Sequence, residues 1–322
     1  MHDALIEWYG RHARDLPWRA PDRTPWGVLV SEVMLQQTSV ARVEPVWREW
    51  RDRWPTPAAL AAEQPGTAIR AWGRLGYPGR ALRLHAAARS IVERYGGEVP
   101  SAVQKLRELP GVGEYTAAAV ASFAFGQRHA VLDTNVRRVL ARAVSGVAAP
   151  PHTPAAAERR VAESLLPADA LAATWSVAVM ELGALICTAR SPRCGDCPIA
   201  LSCAWRLAGF PQHDGPNRAS QRWEGTDRQA RGALLAVLRE APGNVAKGRL
   251  DSVWPQDPIQ RERALDALIA DGLVEPIDSG YFRLPMSEQA RPDLRRSGYL
   301  EPLTRSRAWT YSSLGSIAAA RR

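Results

Sequence analysis

The four cysteines of this 322-residue chain constrain its fold more than any other feature. They are Cys187, Cys194, Cys197 and Cys203, in the spacing C-x6-C-x2-C-x5-C. Four thiolates from one short loop can surround a metal centre, which is more common in a reducing compartment than disulfide formation. Because only the middle pair is tightly spaced, an iron–sulfur cluster fits this loop better than a tetrahedral zinc ion. A zinc site and four unrelated cysteines are the alternatives.

Charge and hydropathy narrow the class of protein. The chain has 42 Lys and Arg against 33 Asp and Glu, a net charge of +9, and such a surface attracts polyanions. No apolar run approaches the roughly 18 to 20 residues of a membrane span, and the first residues lack a signal peptide. We therefore expect a cytoplasmic protein that does not contact membranes.

A glycine-rich turn lies between two helical segments. The stretch Leu109–Gly113 reads LPGVG, with a helix predicted before it and another from about Tyr115. Gly111 and Gly113 allow a sharp turn, and Val112 lies between them, so that the first N–H groups of the next helix can point at a phosphate. This pattern favours a helix-hairpin-helix that binds a DNA backbone without reading sequence, although a simple tight turn is the alternative.

The hairpin, the segment Leu132–Val136 and the cysteine loop together resemble the helix-hairpin-helix DNA glycosylases with an iron–sulfur cluster, the endonuclease III superfamily. The resemblance covers about residues 4 to 207, and Ser31–Thr38 (SEVMLQQT) is similar to the signature of its adenine-glycosylase branch, the MutY proteins. It implies a mainly α fold with a [4Fe-4S] cluster. It also implies a monomeric repair enzyme that removes adenine opposite 8-oxoguanine or guanine in double-stranded DNA, and so works at the nucleoid.

Tyr115 indicates which chemistry the resemblance implies. The endonuclease III branch carries a lysine at this position, whose amine forms an imine with the sugar and then cuts the strand. A phenol cannot form that imine. The sequence therefore predicts a monofunctional enzyme that leaves an intact abasic site.

Two carboxylates are the predicted catalytic residues. Cleavage of an N-glycosidic bond requires an acid for the departing base and an anion for the developing sugar cation. Glu32, among apolar neighbours, is predicted to stay protonated, and the resemblance implies that it protonates adenine N7. Asp133 begins a helix whose dipole favours the ionised form. Tyr115 and Asn135 are predicted to orient Asp133 or a water. An ordinary buried Glu and a simple helix N-cap are the alternatives.

The resemblance also implies a set of residues that contact DNA or adenine. Gln37 and Tyr77 match positions that wedge into the duplex, and Thr38 and Leu75 match positions near 8-oxoguanine. Trp18, Arg19 and Glu181 match adenine-pocket positions. Core packing is the alternative for Leu75 and Trp18.

The composition divides the chain into four parts. Residues 1–208 form the predicted glycosylase domain, and residues 209–226 a linker rich in Pro, Gly and polar residues. Residues 227–286 contain two helical segments and a predicted hairpin, an order typical of a small winged-helix-like α+β module. Residues 287–322 are predicted to be a disordered basic tail.

The predicted module departs from the resemblance, because MutY proteins typically carry a Nudix-like domain there. We expect the module to contact DNA through three basic side chains, with a purely structural cap as the alternative. These side chains are Arg261, Arg263 and Arg283.

Two other functions compete with adenine removal. A related glycosylase for oxidised pyrimidines or mismatched thymine would share the hairpin and the cluster loop. A redox-sensing transcription regulator would share the cluster and the winged helix, but would leave Glu32, Tyr115 and Asp133 without a role.

Overall fold

The computed structural model describes residues 1–153, 155–168, 171–212, 223–277 and 280–287. Helices dominate the described part, and short 3-10 turns occur at Pro17–Arg19, Cys194–Asp196 and Ala200–Ser202. The helices of the first 207 residues are α1 (His2–His12), α2 (Pro25–Leu35), α3 (Val40–Arg53), α4 (Pro57–Ala61), α5 (Pro65–Trp72), α6 (Gly79–Tyr95), α7 (Val103–Arg107), α8 (Glu114–Phe125), α9 (Thr134–Ala143), α10 (Ala156–Leu165), α11 (Leu171–Leu185) and α12 (Ala204–Leu207). No helix in the described ranges is both long and apolar enough to cross a membrane.

Local sequence signals explain where several helices begin and end. Thr24 caps α2 by accepting a hydrogen bond from the N–H of Gly27, and Pro25 occupies the first turn, where a missing N–H costs nothing. Gly96 and Gly126 end α6 and α8 in the left-handed conformation that glycine adopts readily. These capping signals are local, so the sequence alone predicts where such helices begin and end.

Helix α2 lies at the centre of the larger hydrophobic core. Nine consecutive residues, Trp26–Met34, are buried, because α3, α6 and α8 pack around this helix. A second core forms where α9 packs on α11 and α11 on α1. Residues of both cores line the cleft described below. Glu32 on α2 belongs to the larger core's helices, whereas Asp133 caps α9 of the second core.

The C-terminal part combines three helices with a small sheet. The elements are α13 (Asp227–Glu240), β1 (Val245–Ala246), α14 (Lys247–Asp251), α15 (Pro258–Ala270), β2 (Glu275–Ile277) and β3 (Tyr281–Arg283). The antiparallel sheet has the order β1-β3-β2, with Phe282 opposite both Val245 and Pro276. The predicted hairpin and both predicted helices are present, and β1 and α14 were not predicted.

This C-terminal part packs directly on α5. Gly66 donates its N–H to the carbonyl of Pro285 at 2.7 Å, and a Cβ on Gly66 would lie 2.9 Å from the Cβ of Leu284. Arg70 on α5 donates to the carbonyl of Ala241 at 2.8 Å, and Arg239 donates back to the carbonyl of Ile69 at 3.1 Å.

The mainly helical fold with a small C-terminal sheet is as predicted. Much of the predicted linker (213–222) and nearly all of the predicted tail (288–322) lie outside the described residues. The division of the chain into domains therefore stays a prediction.

Candidate active site

A cleft of about 1040 Å³ brings most of the predicted site residues together. Its lining comes from the 3-10 turn near Trp18, the end of α2, the hairpin before α8 and the start of α9. The predicted residues that line it are Trp18, Arg19, Glu32, Gln37, Thr38, Gly111, Gly113, Tyr115, Asp133 and Asn135. Segments distant in sequence thus meet around one cavity.

Glu32 is the buried acid of this cleft. Its side chain lies on α2 and the residue is 6% exposed. Tyr115 on α8 donates its hydroxyl to Oε2 of Glu32 at 3.0 Å. Burial raises the pKa of Glu32 to about 7, the Tyr115 hydrogen bond opposes this rise, and the nearby charge of Asp133 adds to it. A carboxyl that carries its proton near neutral pH can serve as a general acid.

Asp133 receives hydrogen bonds that favour its ionised form. It caps α9, since its Oδ1 accepts from the N–H of Val136 at 2.6 Å, and its Oδ2 accepts from Nδ2 of Asn135 at 2.9 Å. Burial raises the pKa of Asp133, and these two hydrogen bonds oppose that rise. The two carboxyls therefore differ in their donors, one phenol for Glu32 against two amides for Asp133. The N-cap role of Asp133 is therefore compatible with the catalytic role predicted for it.

Tyr115 and Asn135 donate hydrogen bonds to different carboxyls. Asn135 holds Asp133, as expected, whereas the hydroxyl of Tyr115 hydrogen bonds to Glu32 rather than to Asp133. Burial raises the pKa of Tyr115 well above its usual value, so the phenol stays protonated and remains a donor. By occupying one oxygen of Glu32, it leaves the other oxygen to carry the proton.

Gly183 on α11 is a site residue that sequence reasoning missed. A Cβ added there would lie 2.7 Å from the Cβ of Asn135 and 3.0 Å from its carbonyl oxygen. Only glycine allows α11 to approach the start of α9 this closely. A glycine inside an apolar helix (LGAL) was the available signal, but the sequence does not show what it faces.

We expect Gly183→Ala to slow the adenine release that the resemblance implies by about 10- to 100-fold, because the added methyl must displace Asn135 and hence Asp133. Single-turnover release of adenine measures this effect. The matched control is Gly232→Ala on α13, where a Cβ would meet no atom within 4 Å. That change should leave the rate unaltered and stabilise the helix by about 0.5–1 kcal/mol. Equal rates for the two variants would contradict the expected contact.

Glu181 lies beside the cleft in a network of arginines. It is fully buried, and Arg14 donates to it from Nε and Nη2, both at 2.7 Å, and from its backbone N–H. Arg19 adds a contact at 3.0 Å. Burial tends to raise the pKa of Glu181, but the Arg14 hydrogen bonds and the Arg19 charge outweigh it and hold the pKa at about 2. Glu181 is thus a permanent anion that orients two cations, of which Arg14 was not predicted.

Arg19 lines the cleft and has one buried guanidinium nitrogen without a partner among the described residues. Its Nη1 is buried and makes no hydrogen bond within the described residues. Arg19 lines the cleft beside Trp18, whose ring packs against Trp47 with a centroid separation of 5.7 Å. Trp18 is therefore both a core residue and part of the cleft wall.

The two predicted wedge residues lie on loops joined by one buried arginine. Gln37 (φ 55°) and Tyr77 (φ 47°) both adopt left-handed backbone conformations, which are strained for side chains of this size. Arg80, 3% exposed, donates to the carbonyls of Gln36 at 2.5 Å and Gly76 at 3.0 Å. It also donates to Oγ1 of Thr38 at 3.0 Å. Arg80 thus holds both strained turns in place.

Thr38 and Leu75 are buried beneath these turns. The Thr38 hydroxyl donates to the carbonyl of Leu75 at 3.2 Å, and the Leu75 side chain, 3% exposed, belongs to the larger core. The core-packing alternative for Leu75 therefore describes its side chain here. Gln37 and Tyr77 remain exposed.

The glycine hairpin has the predicted form. Gly111 has a φ of 77° and a Cβ there would lie 2.7 Å from the Cβ of Arg83, so the turn requires glycine. Val112 is buried as an anchor, and Gly113 precedes the first turn of α8. The N-terminus of α8 consequently opens into the cleft near Tyr115.

All four cysteines line one small pocket beside α9 and α12. Four thiols around one pocket match the number of ligands that a [4Fe-4S] cluster takes. Arg142, 5% exposed, donates to Sγ of Cys187 at 3.4 Å and to the carbonyl of Thr188 at 2.8 Å. Positive donors of this kind stabilise thiolates bound to iron.

Arg138 connects the cysteine loop to the cleft. It donates to the carbonyl of Cys187 at 2.7 Å and to Oδ1 of Asn135 at 2.8 Å. Asn135 in turn holds Asp133. The position of the predicted catalytic anion therefore depends on the folded cysteine loop.

Comparisons with known proteins agree with this geometry. Residues 30–165 match the family model of the HhH-GPD superfamily base excision DNA repair proteins, and residues 187–203 match the iron-sulfur binding domain of endonuclease III. The chain is 53% identical to the adenine DNA glycosylase of Mycolicibacterium smegmatis over 89% of this chain and 97% of that protein. The chain belongs to the adenine DNA glycosylase family. The adenine DNA glycosylase of Mycobacterium tuberculosis is 52% identical over 87% of this chain and 92% of its own length.

A solved structure supports the fold assignment. The structure of a thermostable thymine-DNA glycosylase matches with a TM-score of 0.59 and 28% identity, over 64% of this chain and 94% of that one. The recognised family, its glycosylase activity and the iron–sulfur loop are confirmed, and the four cysteines fit a [4Fe-4S] cluster.

Proposed function

We propose that this adenine DNA glycosylase acts on duplex DNA in which adenine is mispaired with 8-oxoguanine or guanine, and that it leaves an intact abasic site. The observation that carries the proposal is the shared cleft of Glu32 and Asp133, two carboxyls in unequal surroundings. The helix-hairpin-helix turn and the net charge of +9 support binding of the phosphate backbone.

In this proposal Glu32 is the acid that protonates the departing adenine at N7. Its free oxygen carries the proton while Tyr115 holds the other oxygen. Arg19 lines the cleft that receives this base, and the Arg14–Glu181 pair fixes the position of Arg19. Protonation makes adenine a neutral leaving group, which lowers the barrier to breaking its bond to the sugar.

Asp133 is the anion that stabilises the sugar as positive charge develops on it. Asn135 and the N–H of Val136 keep its carboxylate in one orientation at the start of α9. The described cleft contains no lysine, so attack on the sugar falls to water or to Asp133 itself. This supports a glycosylase that releases the base without cutting the strand.

The pKa of Glu32 predicts how the rate depends on pH. The group must be protonated to act, and its pKa is raised to about 7, so the active form dominates below that pH and is lost above it. We expect the single-turnover rate at saturating DNA to be flat below about pH 7 and to fall by about tenfold per pH unit above it. DNA binding measured over the same range is the control. A rate that stays constant up to about pH 9 would contradict the acid role of Glu32.

The substrate is tested with matched duplexes that differ only in the base opposite adenine. We expect adenine release opposite 8-oxoguanine and opposite guanine, and far less opposite thymine. Strand breaks should appear only after alkali treatment. Breaks before alkali, or release of thymine from a guanine mispair in preference to adenine, would contradict the proposal.

A further inference from the structure

Five side chains form an alternating stack of aromatic rings and guanidinium groups from the core to the surface. Arg80 lies between Trp72 and Tyr77, with its Cζ 5.2 and 5.5 Å from their ring centroids. Arg228 lies between Tyr77 and Trp223, at 5.1 and 5.4 Å. We call this series the ladder. It joins α6 and the Tyr77 turn to the start of α13.

The side chains of the ladder are buried at its Trp72 end and exposed at its Trp223 end. Trp72 is fully buried, whereas Tyr77 is 47% and Trp223 53% exposed. Tyr77, Arg228 and Trp223 therefore present a ring, a cation and a ring to solvent. Proteins that bind unpaired nucleotides commonly use such a combination, since rings stack on bases and guanidinium groups contact phosphates.

The charges of the C-terminal part distinguish Arg228 from the arginines that the sequence indicated. Arg261 pairs with Asp251 at 2.9 Å, Arg263 with Asp227 at 2.7 Å and Arg283 with Glu275 at 2.9 Å. Each is therefore already neutralised by a carboxylate. Arg228 makes no ion pair with any described residue and is exposed. DNA contact by the three paired arginines stays a prediction, and it would require them to exchange their carboxylate partners for phosphates.

The ladder lies beside the cleft but outside its lining. Gln36 and Gln37 line the cleft, and Arg80 joins the carbonyls of Gln36 and Gly76, which places the Tyr77 turn next to the cleft mouth. DNA that inserts a nucleotide between Glu32 and Asp133 must therefore pass close to Tyr77. Helix α13 holds the outer half of the ladder rigidly, because Thr226 caps it and Gln260 donates to the carbonyl of Gly225 at 3.0 Å.

We propose that Trp223 and Arg228 extend the DNA-binding surface of the cleft onto the C-terminal part, with Trp223 stacking on the nucleic acid and Arg228 contacting a phosphate of the duplex beside the extruded nucleotide. This inference rests on the proposed function, since it takes duplex DNA as the occupant of the cleft. It assigns the C-terminal helices a role in DNA affinity rather than in bond cleavage. Trp223 and Arg228 touch neither Glu32 nor Asp133.

The test uses the full-length chain with Asp133→Asn, so that a duplex containing an adenine:8-oxoguanine pair stays intact while its affinity is measured by fluorescence anisotropy. We expect Trp223→Ala and Arg228→Ala each to weaken binding by about tenfold. Arg228→Ala should also lower the slope of log affinity against log salt by about 1, whereas Trp223→Ala leaves that slope unchanged. Trp223→Phe, which keeps a ring, should retain most of the affinity.

Arg249→Ala is the matched control, because Arg249 is exposed on α14, lies outside the ladder and makes no ion pair with the described residues. Its affinity should stay within about twofold of the parent. Losses in Trp223→Ala and Arg228→Ala no larger than in Arg249→Ala, or a salt slope that Arg228→Ala leaves unchanged, would overturn the inference. Affinity losses confined to the two ladder variants, together with a native chain that releases no adenine, would instead refute the proposed function alone.

Discussion

Glu32→Gln and Asp133→Asn should each reduce single-turnover adenine release by about 100- to 10,000-fold. Gln keeps the size of Glu32 and can still accept the Tyr115 hydroxyl, but it has no proton to transfer. Asn can still cap α9, but it is neutral and cannot stabilise a sugar cation. Glu32→Gln thus removes proton donation to the base, and Asp133→Asn removes stabilisation of the sugar cation. Both changes should leave the cleft folded.

DNA binding separates this effect from misfolding. Both substitutions remove a potential negative charge from the cleft, so duplex affinity should be unchanged or higher. Asp52→Asn and Glu98→Gln are matched controls, because both carboxylates are exposed and outside the cleft lining. These controls should release adenine at the native rate. A Glu32→Gln variant that keeps native activity would refute the assignment of the acid.

Cys197→Ser should remove the cluster and, with it, most of the activity. Serine is a poor ligand for iron, and the four cysteines line one pocket, so loss of one ligand leaves the loop without its centre. We expect iron content and visible absorbance to fall and the thermal midpoint to drop by several degrees. Adenine release should fall by about 100-fold, because Arg138 ties the Cys187 carbonyl to Asn135 and Asp133.

Ser202→Ala is the control within the same loop. Ser202 is exposed, and among the described residues its hydroxyl donates to a single acceptor, the carbonyl of Ile199 at 3.3 Å, so iron content and activity should remain native. Purified protein that contains zinc rather than iron would contradict the assignment of the cluster. A Cys197→Ser variant with native iron content would contradict the role of Cys197 as a ligand.

The sequence predicted those parts of the site that lie in short segments. The cysteine spacing, the LPGVG turn and the neighbourhood of Glu32 are local patterns, and each is found in the structure as a pocket, a hairpin and a buried acid. The helix start at Asp133 is also local, because an N-cap needs only the residues that follow it. A site whose chemistry depends on a few consecutive residues can therefore be predicted from the sequence alone.

The parts that were missed depend on pairs far apart in the chain. Arg14 and Glu181 are separated by 167 positions, so nothing near either residue reveals the ion pair. Gly183 matters only because α9 passes beside it, and Arg80 only because two turns meet around it. The pairing of Arg261, Arg263 and Arg283 with carboxylates is also set by tertiary packing, so the sequence does not show it.

The account depends most on Glu32 being uncharged near neutral pH while it shares a cleft with an anionic Asp133. The carbon-13 shift of the Glu32 side-chain carboxyl, followed by NMR during a pH titration, measures this directly. We predict a midpoint at about 7 in the native protein and a lower midpoint in Asp133→Asn, since the charge of Asp133 contributes to the raised pKa. A midpoint near the ordinary value for glutamate, unchanged by Asp133→Asn, would contradict the account.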